Sequence, residues 1–199
     1  MDEPKPDLEE EKVPFSLTFV TLAVALFYFF RGFVFKSITS FLPTYFVESR
    51  GLSIAGGGFT TSILLLSGVL ILPFAGILAE KVNRVLLTVG SCLSSGLILF
   101  LMTLVPTVGW LMYLMLALFG ALIYLSLPSV LSLVKDLTSK EGYGGAFGIN
   151  FTMAATAGVI APVIVGYIGD VFSLALAFKL LPSLLVLASI SIILIKNKI

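Results

Sequence analysis

Six long apolar runs, separated by short breaks, dominate this sequence. They extend over about 14 to 47, 54 to 79, 85 to 104, 110 to 133, 145 to 169 and 174 to 195. Each run is long enough to cross ~30 Å of hydrocarbon as a helix. Each is also apolar on all sides, unlike the helices of a soluble bundle, and stretches such as 184 to 195 lack the alternation of a barrel strand. The sequence therefore predicts an all-α membrane protein with six transmembrane helices.

Two charged residues, Arg31 and Lys36, interrupt the first run. The uncharged stretch that follows, Ser37 to Val47, is too short to cross a bilayer as a separate helix. We therefore expect one long first helix with protruding ends, and the count of spans stays at six.

The first thirteen residues differ sharply from the rest of the chain. They hold six of the eleven acidic residues and two prolines, and they lack the charged-then-apolar order of a secretory signal. The sequence predicts two parts: an acidic cytoplasmic tail or linker at 1–13, and a six-helix transmembrane domain at 14–199.

Lysine and arginine residues are distributed unequally between the two ends of the spans. One side carries eight of them, and the opposite side carries only Arg50 and Lys179. Because cytoplasmic loops are enriched in these residues, we expect a multi-pass protein of the cell membrane with both termini in the cytoplasm. Trp110 then lies at the outer interface. The eight residues of the first side are Lys5, Lys12, Lys81, Arg84, Lys135, Lys140, Lys196 and Lys198.

Composition excludes several classes of function. The chain has no histidine and a single cysteine, Cys92, so it cannot build a His-dependent catalytic triad, a Cys/His zinc site or an internal disulfide. A formal charge of +1 gives no basic field for nucleic acid, and no glycine-rich phosphate loop is present. We expect no enzyme, no catalytic residue, no metal site and no cofactor.

Small residues recur at every fourth position in the fifth run. Ala154, Gly158, Pro162 and Gly166 share one face, and Asp170 ends the series. In lipid, close helix contacts depend on small residues because apolar helices gain little from bulk hydrophobicity. This face therefore predicts either tight packing against another helix or a bend that flexes during transport.

The turn between the second and third runs carries a recognisable pattern. Gly76, Glu80, Lys81 and Arg84 match in type and spacing the signature turn of the major facilitator superfamily, although Glu80 replaces Asp, Asn83 replaces Gly and Val85 replaces the last base. Two further segments agree with it in order. Residues 41–53 resemble the exit of the first helix of a superfamily half, and 142–170 resemble its penultimate helix with the entry loop.

The resemblance implies a fold and a partner. The chain is similar to the C-terminal six-helix half of such a transporter, and would pair with a second six-helix half, either another chain or a second copy. By the same resemblance, Glu80 is the acid and Lys81 and Arg84 are the bases of cytoplasmic gating contacts, and Gly76 allows close helix approach. The alternative is that Lys81 and Arg84 only anchor topology.

A candidate substrate site follows from the charges within the first run. Placing Pro43 near the outer end, as the resemblance implies, puts Arg31 close to mid-membrane, where a cation usually faces a cavity or a partner. Tyr28, Arg31 and Thr39 share one face, with Lys36 on its flank. These four residues predict a site for an anionic group. The alternative is that Arg31 and Lys36 extend to the outer interface.

These features predict a secondary transporter, or one half of it, that moves a small solute, either anionic or neutral, across the bilayer by alternating access. No acidic residue lies well inside a span, so proton coupling would depend on the second half. The alternative function is a non-transporting truncated or regulatory half that binds a membrane partner.

Overall fold

The computed structural model describes residues 15–138 and 142–196, which form six α-helices. The proposed tail at 1–13 and the basic residues Lys140 and Lys198 lie outside the described residues. The helices are α1 (Phe15–Glu48), α2 (Ile54–Lys81), α3 (Arg84–Leu104), α4 (Trp110–Leu137), α5 (Tyr143–Val171) and α6 (Leu174–Ile193). All six are long and apolar enough to cross a membrane. The predicted all-α membrane fold is therefore confirmed, including the single long first helix.

Short polar segments end one helix and begin the next. After α1, Gly51 adopts a positive φ of 71°, and the Leu52 amide donates to the carbonyl of Phe46 at 3.0 Å. This pattern is a glycine-terminated helix end that satisfies otherwise free carbonyls. Ser53 then caps α2 by accepting from the Gly56 amide at 3.1 Å. A hairpin with only a few connecting residues results.

The helices pack around α1 and α4. α1 contacts α2, α5 and α6, whereas α4 contacts α2 and α3 most extensively. α1 and α5 run in parallel, because Gly32 lies against Ala154 and Phe41 lies against Gly166. Fully buried aromatic side chains fill the interior, among them Phe27, Phe119 and Phe178.

Glycines allow α2 and α4 to approach closely. A Cβ atom at Gly120 of α4 would overlap the carbonyl oxygen of Leu64 and the hydroxyl of Ser67. A Cβ atom at Gly68 of α2 would overlap the ring of Tyr124. This interface is therefore a backbone-to-backbone contact of the kind that small residues permit in membranes.

α2 and α5 are the least enclosed helices of the unit. In their most hydrophobic stretches only 22% and 17% of residues are buried, compared with 50% in α1, α3 and α6. Their exposed side chains are mostly large and apolar, including Phe74 and Val163. These two helices therefore present most of the apolar surface that the six-helix unit leaves uncovered.

Candidate functional site

Arg31 of α1 lies in the middle of the bundle, with its side chain against α4. Only 6% of its surface is exposed. Its Nε donates to the Ser126 hydroxyl at 2.7 Å, and its Nη2 donates to the carbonyl of Ile123 at 2.6 Å. The Ser126 hydroxyl donates to the same carbonyl at 2.8 Å. Three polar groups from two helices thus form one closed network.

The network lies beside a proline in α4. Pro128 has no N–H, so it leaves the carbonyl of Tyr124 without its normal helical donor. The Arg31 guanidinium lies against the carbonyl of Ile123, the residue before Tyr124 in α4. Among the described residues no carboxylate lies within 4 Å of Arg31. The single ion pair found among them joins Arg84 to Asp136. The cation is therefore stabilised by helix carbonyl and hydroxyl dipoles.

This placement bears on the predicted substrate site, which stays a prediction. Arg31 and Tyr28 were expected to face an open cavity, but both are buried, with exposures of 6% and 5%. The physical reason is that α4 supplies acceptors at the depth of Arg31, which removes the cost of burying unsatisfied donors. Thr39 is also engaged locally, since its hydroxyl donates to the carbonyl of Phe35 at 2.9 Å.

Lys36 is the member of the predicted site that remains accessible. It is exposed on α1, and its stem lies along α5, where a Cβ atom at Gly158 would be 3.4 Å from Lys36 Cγ and 3.6 Å from Cε. Gly158 is close to the midpoint of the 29-residue α5, so this contact also gives the depth of Lys36. No carboxylate of the described residues pairs with its ammonium group.

The small-residue face of α5 lies against α1. Ala154, Gly158 and Gly166 contact Gly32, Lys36 and Phe41 respectively. Pro162 lies inside α5, and Asp170 is exposed near its end. Of the two alternatives for this face, the structure provides direct contacts for packing.

At the turn between α2 and α3, Arg84 forms an ion pair with Asp136 at the end of α4. The resemblance assigned the acidic role to Glu80, but Glu80 and Lys81 are exposed. Gly76 does not mark a close approach within this unit, because a Cβ atom there would meet nothing within 4 Å among the described residues. The correction has a simple cause. α3 contacts α4 extensively and α2 very little, so the first residue of α3 finds its partner on α4.

Arg50 forms a second network, at the end of the bundle opposite Arg84. The sequence interpretation used Arg50 only to assign topology. Its guanidinium donates to the carbonyls of Val105 and Met102, the latter at 3.2 Å, and to the Tyr45 hydroxyl at 2.7 Å. Tyr45 in turn stacks on Phe178 of α6 at 4.4 Å. A cation at the free carbonyls of a helix C-terminus is stabilised by the helix dipole. Arg50 thereby links the ends of α1, α3 and α6.

The sequence profile of the Major Facilitator Superfamily matches residues 24–198. The chain belongs to this superfamily. Among curated members, the multi-drug resistance efflux pump PmrA of Streptococcus pneumoniae serotype 4 is 28% identical over 168 residues, which are 81% of this chain and 41% of the pump. The hexuronate transporter of Bacillus subtilis strain 168 is 27% identical over 200 residues, which are 92% of this chain and 47% of the transporter.

Solved structures agree with this superfamily fold. A bacterial homologue of the human drug peptide transporters PepT1 and PepT2 has a TM-score of 0.76 at 16% identity, over 91% of this chain and 41% of that chain. A peptide transporter POT in complex with sulfate has a TM-score of 0.70 at 20% identity, over 90% of this chain and 38% of that one. At such identities the likeness shows the fold alone.

Superfamily membership and the six apolar helices identify the chain as a multi-pass membrane protein of a transporter family. The chain spans about two fifths of the length of PmrA and just under half of the hexuronate transporter. The predicted family, fold class and multi-pass membrane character are therefore confirmed, whereas the specific membrane, the side of the termini, the substrate and the second half stay predictions.

Proposed function

We propose that this chain is one six-helix half of a secondary transporter, and that it moves a small anionic solute by alternating access with a second six-helix half. Two observations support the second half. The curated relatives are more than twice as long as the matched region, and α2 and α5 leave large apolar faces uncovered within this unit. In this arrangement both chain termini lie in the cytoplasm.

The exposure of Lys36 at mid-depth is the observation that carries the proposal. Lys36 is twelve residues before the end of α1 at Glu48, about 18 Å along a helix, and it lies beside the centre of α5. A lysine facing lipid at the bilayer centre would cost at least ~2.5–3.5 kcal/mol, so such residues face a water-filled cavity or a partner. We infer that Lys36 faces the cavity between the two halves.

The charge of Lys36 selects the solute class. An ammonium group without a carboxylate partner attracts an anion, and Ser40, one turn later on the same exposed face of α1, adds a hydroxyl. The hexuronate transporter of Bacillus subtilis is named for an anionic sugar acid and matches 92% of this chain. Carboxylated sugars are therefore the first class to test, and the multi-drug relatives provide the contrasting class.

The test is uptake of radiolabelled glucuronate into proteoliposomes that hold this chain, alone and with a candidate six-helix partner. Removing a hydrogen bond to a charged group costs roughly 1.5–3 kcal/mol, so Lys36→Ala should weaken glucuronate affinity about tenfold or more. Lys36→Arg should retain most of it. Lys179→Gln is the matched control, because Lys179 is an exposed lysine near a helix end.

Three results would count against this assignment. Equal uptake by wild type and Lys36→Ala would remove Lys36 from the site. Uptake of the cationic dye ethidium in place of glucuronate would favour drug efflux. Binding of a six-helix partner without uptake of either probe would favour a non-transporting, regulatory half.

A further inference from the structure

An apolar cleft separates α5 and α6 at one end of the bundle. Its volume is about 440 Å³, and three phenylalanines of α1 form its floor: Phe29, Phe30 and Phe33. The lining offers a single hydroxyl, that of Ser183, which already donates to the carbonyl of Leu180 at 2.6 Å. Ligand pockets normally contain a few free polar groups that orient their ligand. This cleft has none, so its occupant must be apolar along the buried length.

The cleft lies within the depth of one leaflet of a bilayer. It begins at Ile168 and Ala177, each about four residues from the short turn that joins α5 to α6, and it reaches Ile160 and Leu184. At 1.5 Å per residue, the deep end lies roughly 16–18 Å from the turn. Half of a ~30 Å hydrocarbon core is about the same depth. The cleft thus begins about 6 Å below the turn, is about 12 Å long, and ends near the bilayer centre.

A cation, Lys179, lies next to the lining residue Leu180 in the half of the cleft nearer the turn, although it is not itself part of the lining. Lys179 is exposed and lies one turn before Ser183 on the same face of α6. It is near the beginning of α6, so its ammonium can extend to the interface while its stem follows apolar surface. Asp170 is also exposed at this end, but it forms no ion pair with Lys179.

We propose that the α5–α6 cleft holds one acyl chain of a membrane phospholipid, whose phosphate group contacts Lys179. The apolar lining and the ~12 Å length match the deeper part of an acyl chain, and the exposed Lys179 nearby matches the phosphate. This assignment does not depend on the proposed transport function, because it is measured as lipid binding and not as uptake of a solute.

Native mass spectrometry of the detergent-purified chain, titrated with phosphatidylglycerol or phosphatidylethanolamine, tests the assignment. Leu180 lines the cleft from its open side and is 51% exposed, so Leu180→Trp should fill the cleft and lower lipid occupancy several-fold. Leu187→Trp is the matched control, since Leu187 is similarly exposed on α6 but is not part of the lining. Leu180→Ala leaves the cleft open and should retain lipid.

The contact between Lys179 and the lipid phosphate is tested by a separate comparison. Lys179→Gln should reduce occupancy by both phospholipids, whereas a long-chain alcohol without phosphate should bind wild type and Lys179→Gln equally. Equal phospholipid occupancy in Leu180→Trp and Leu187→Trp would overturn the acyl-chain assignment. Loss of lipid from the unit when a six-helix partner is added would show that protein, and not lipid, covers this cleft.

Discussion

The close approach of α2 and α4 at Gly120 gives the sharpest test of the helix packing. A Cβ atom at this position would overlap the backbone carbonyl of Leu64. A backbone atom cannot rotate away, so Gly120→Ala must push the two helices apart. Overpacking of this kind typically costs ~1–3 kcal/mol, and this interface is the most extensive in the unit.

Alanine also has a favourable effect that must be separated from the clash. In a helix interior, alanine is more favourable than glycine by about 0.8–1.0 kcal/mol. Gly90→Ala measures that gain alone, because a Cβ atom at Gly90 of α3 would meet nothing within 4 Å among the described residues. Gly120→Ala receives the same gain, which cancels in the comparison, so we expect Gly120→Ala to be less stable than Gly90→Ala by the overpacking cost alone, roughly 1–3 kcal/mol.

An intermediate variant makes the expected order more specific. Gly68 faces the side chain of Tyr124 and not a backbone atom, so Gly68→Ala should be accommodated partly by a rotation of the ring. Reversible unfolding in mixed micelles, followed by circular dichroism, should give stabilities in the order Gly90→Ala, Gly68→Ala, Gly120→Ala. If Gly120→Ala is as stable as Gly90→Ala, α2 and α4 do not approach closely enough at Gly120 for a Cβ atom to overlap the Leu64 carbonyl.

Three further predictions concern the polar networks and the topology. Neutralising Arg84 or Asp136 should lower stability by no more than ~1 kcal/mol, since the pair is partly exposed; exchanging the two residues should restore the loss, and a larger loss would indicate a buried role. Arg50→Gln should cost roughly 1.5–3 kcal/mol, because charge-assisted bonds to α3 carbonyls are lost; an unchanged melting temperature would contradict this. Lys81→Cys and Thr107→Cys should be labelled by an impermeant maleimide from opposite sides of the membrane, and the buried native cysteine should not react. Labelling of both variants from the same side would refute the six-span topology.

The helices were predictable because the bilayer imposes a length on each of them. The fifth run was predicted at 145–169, and the helix extends over Tyr143–Val171. The fourth was predicted at 110–133, and the helix extends over Trp110–Leu137. The differences lie at helix ends, where polar residues still form helical hydrogen bonds beyond the hydrocarbon. Hydropathy reports the apolar part of a helix, so it cannot locate these ends.

The partners of the charged residues were not predictable in the same way. A helical projection places Arg31 and Tyr28 on one face of α1, but it does not indicate which helix that face meets. The acceptors of Arg31 lie 92 and 95 positions away in the sequence, and Asp136 is 52 positions from Arg84 (136 minus 84). Pairings at such separations follow from the arrangement of helices, which local periodicity does not specify.

The positions of these networks bear on how the proposed transporter would move. Arg31 joins α1 to α4 at mid-depth, Arg50 joins α1 to α3 at one end, and Arg84 joins α3 to α4 at the other. Breaking the Arg31 network would leave polar groups unsatisfied where water is scarce, and the Arg50 and Arg84 contacts add further links at the two ends, so the six helices are expected to move as one body. Lys36 takes part in none of these networks. In the proposed mechanism it therefore stays free to meet a solute, while alternating access comes from motion of the whole unit against its partner.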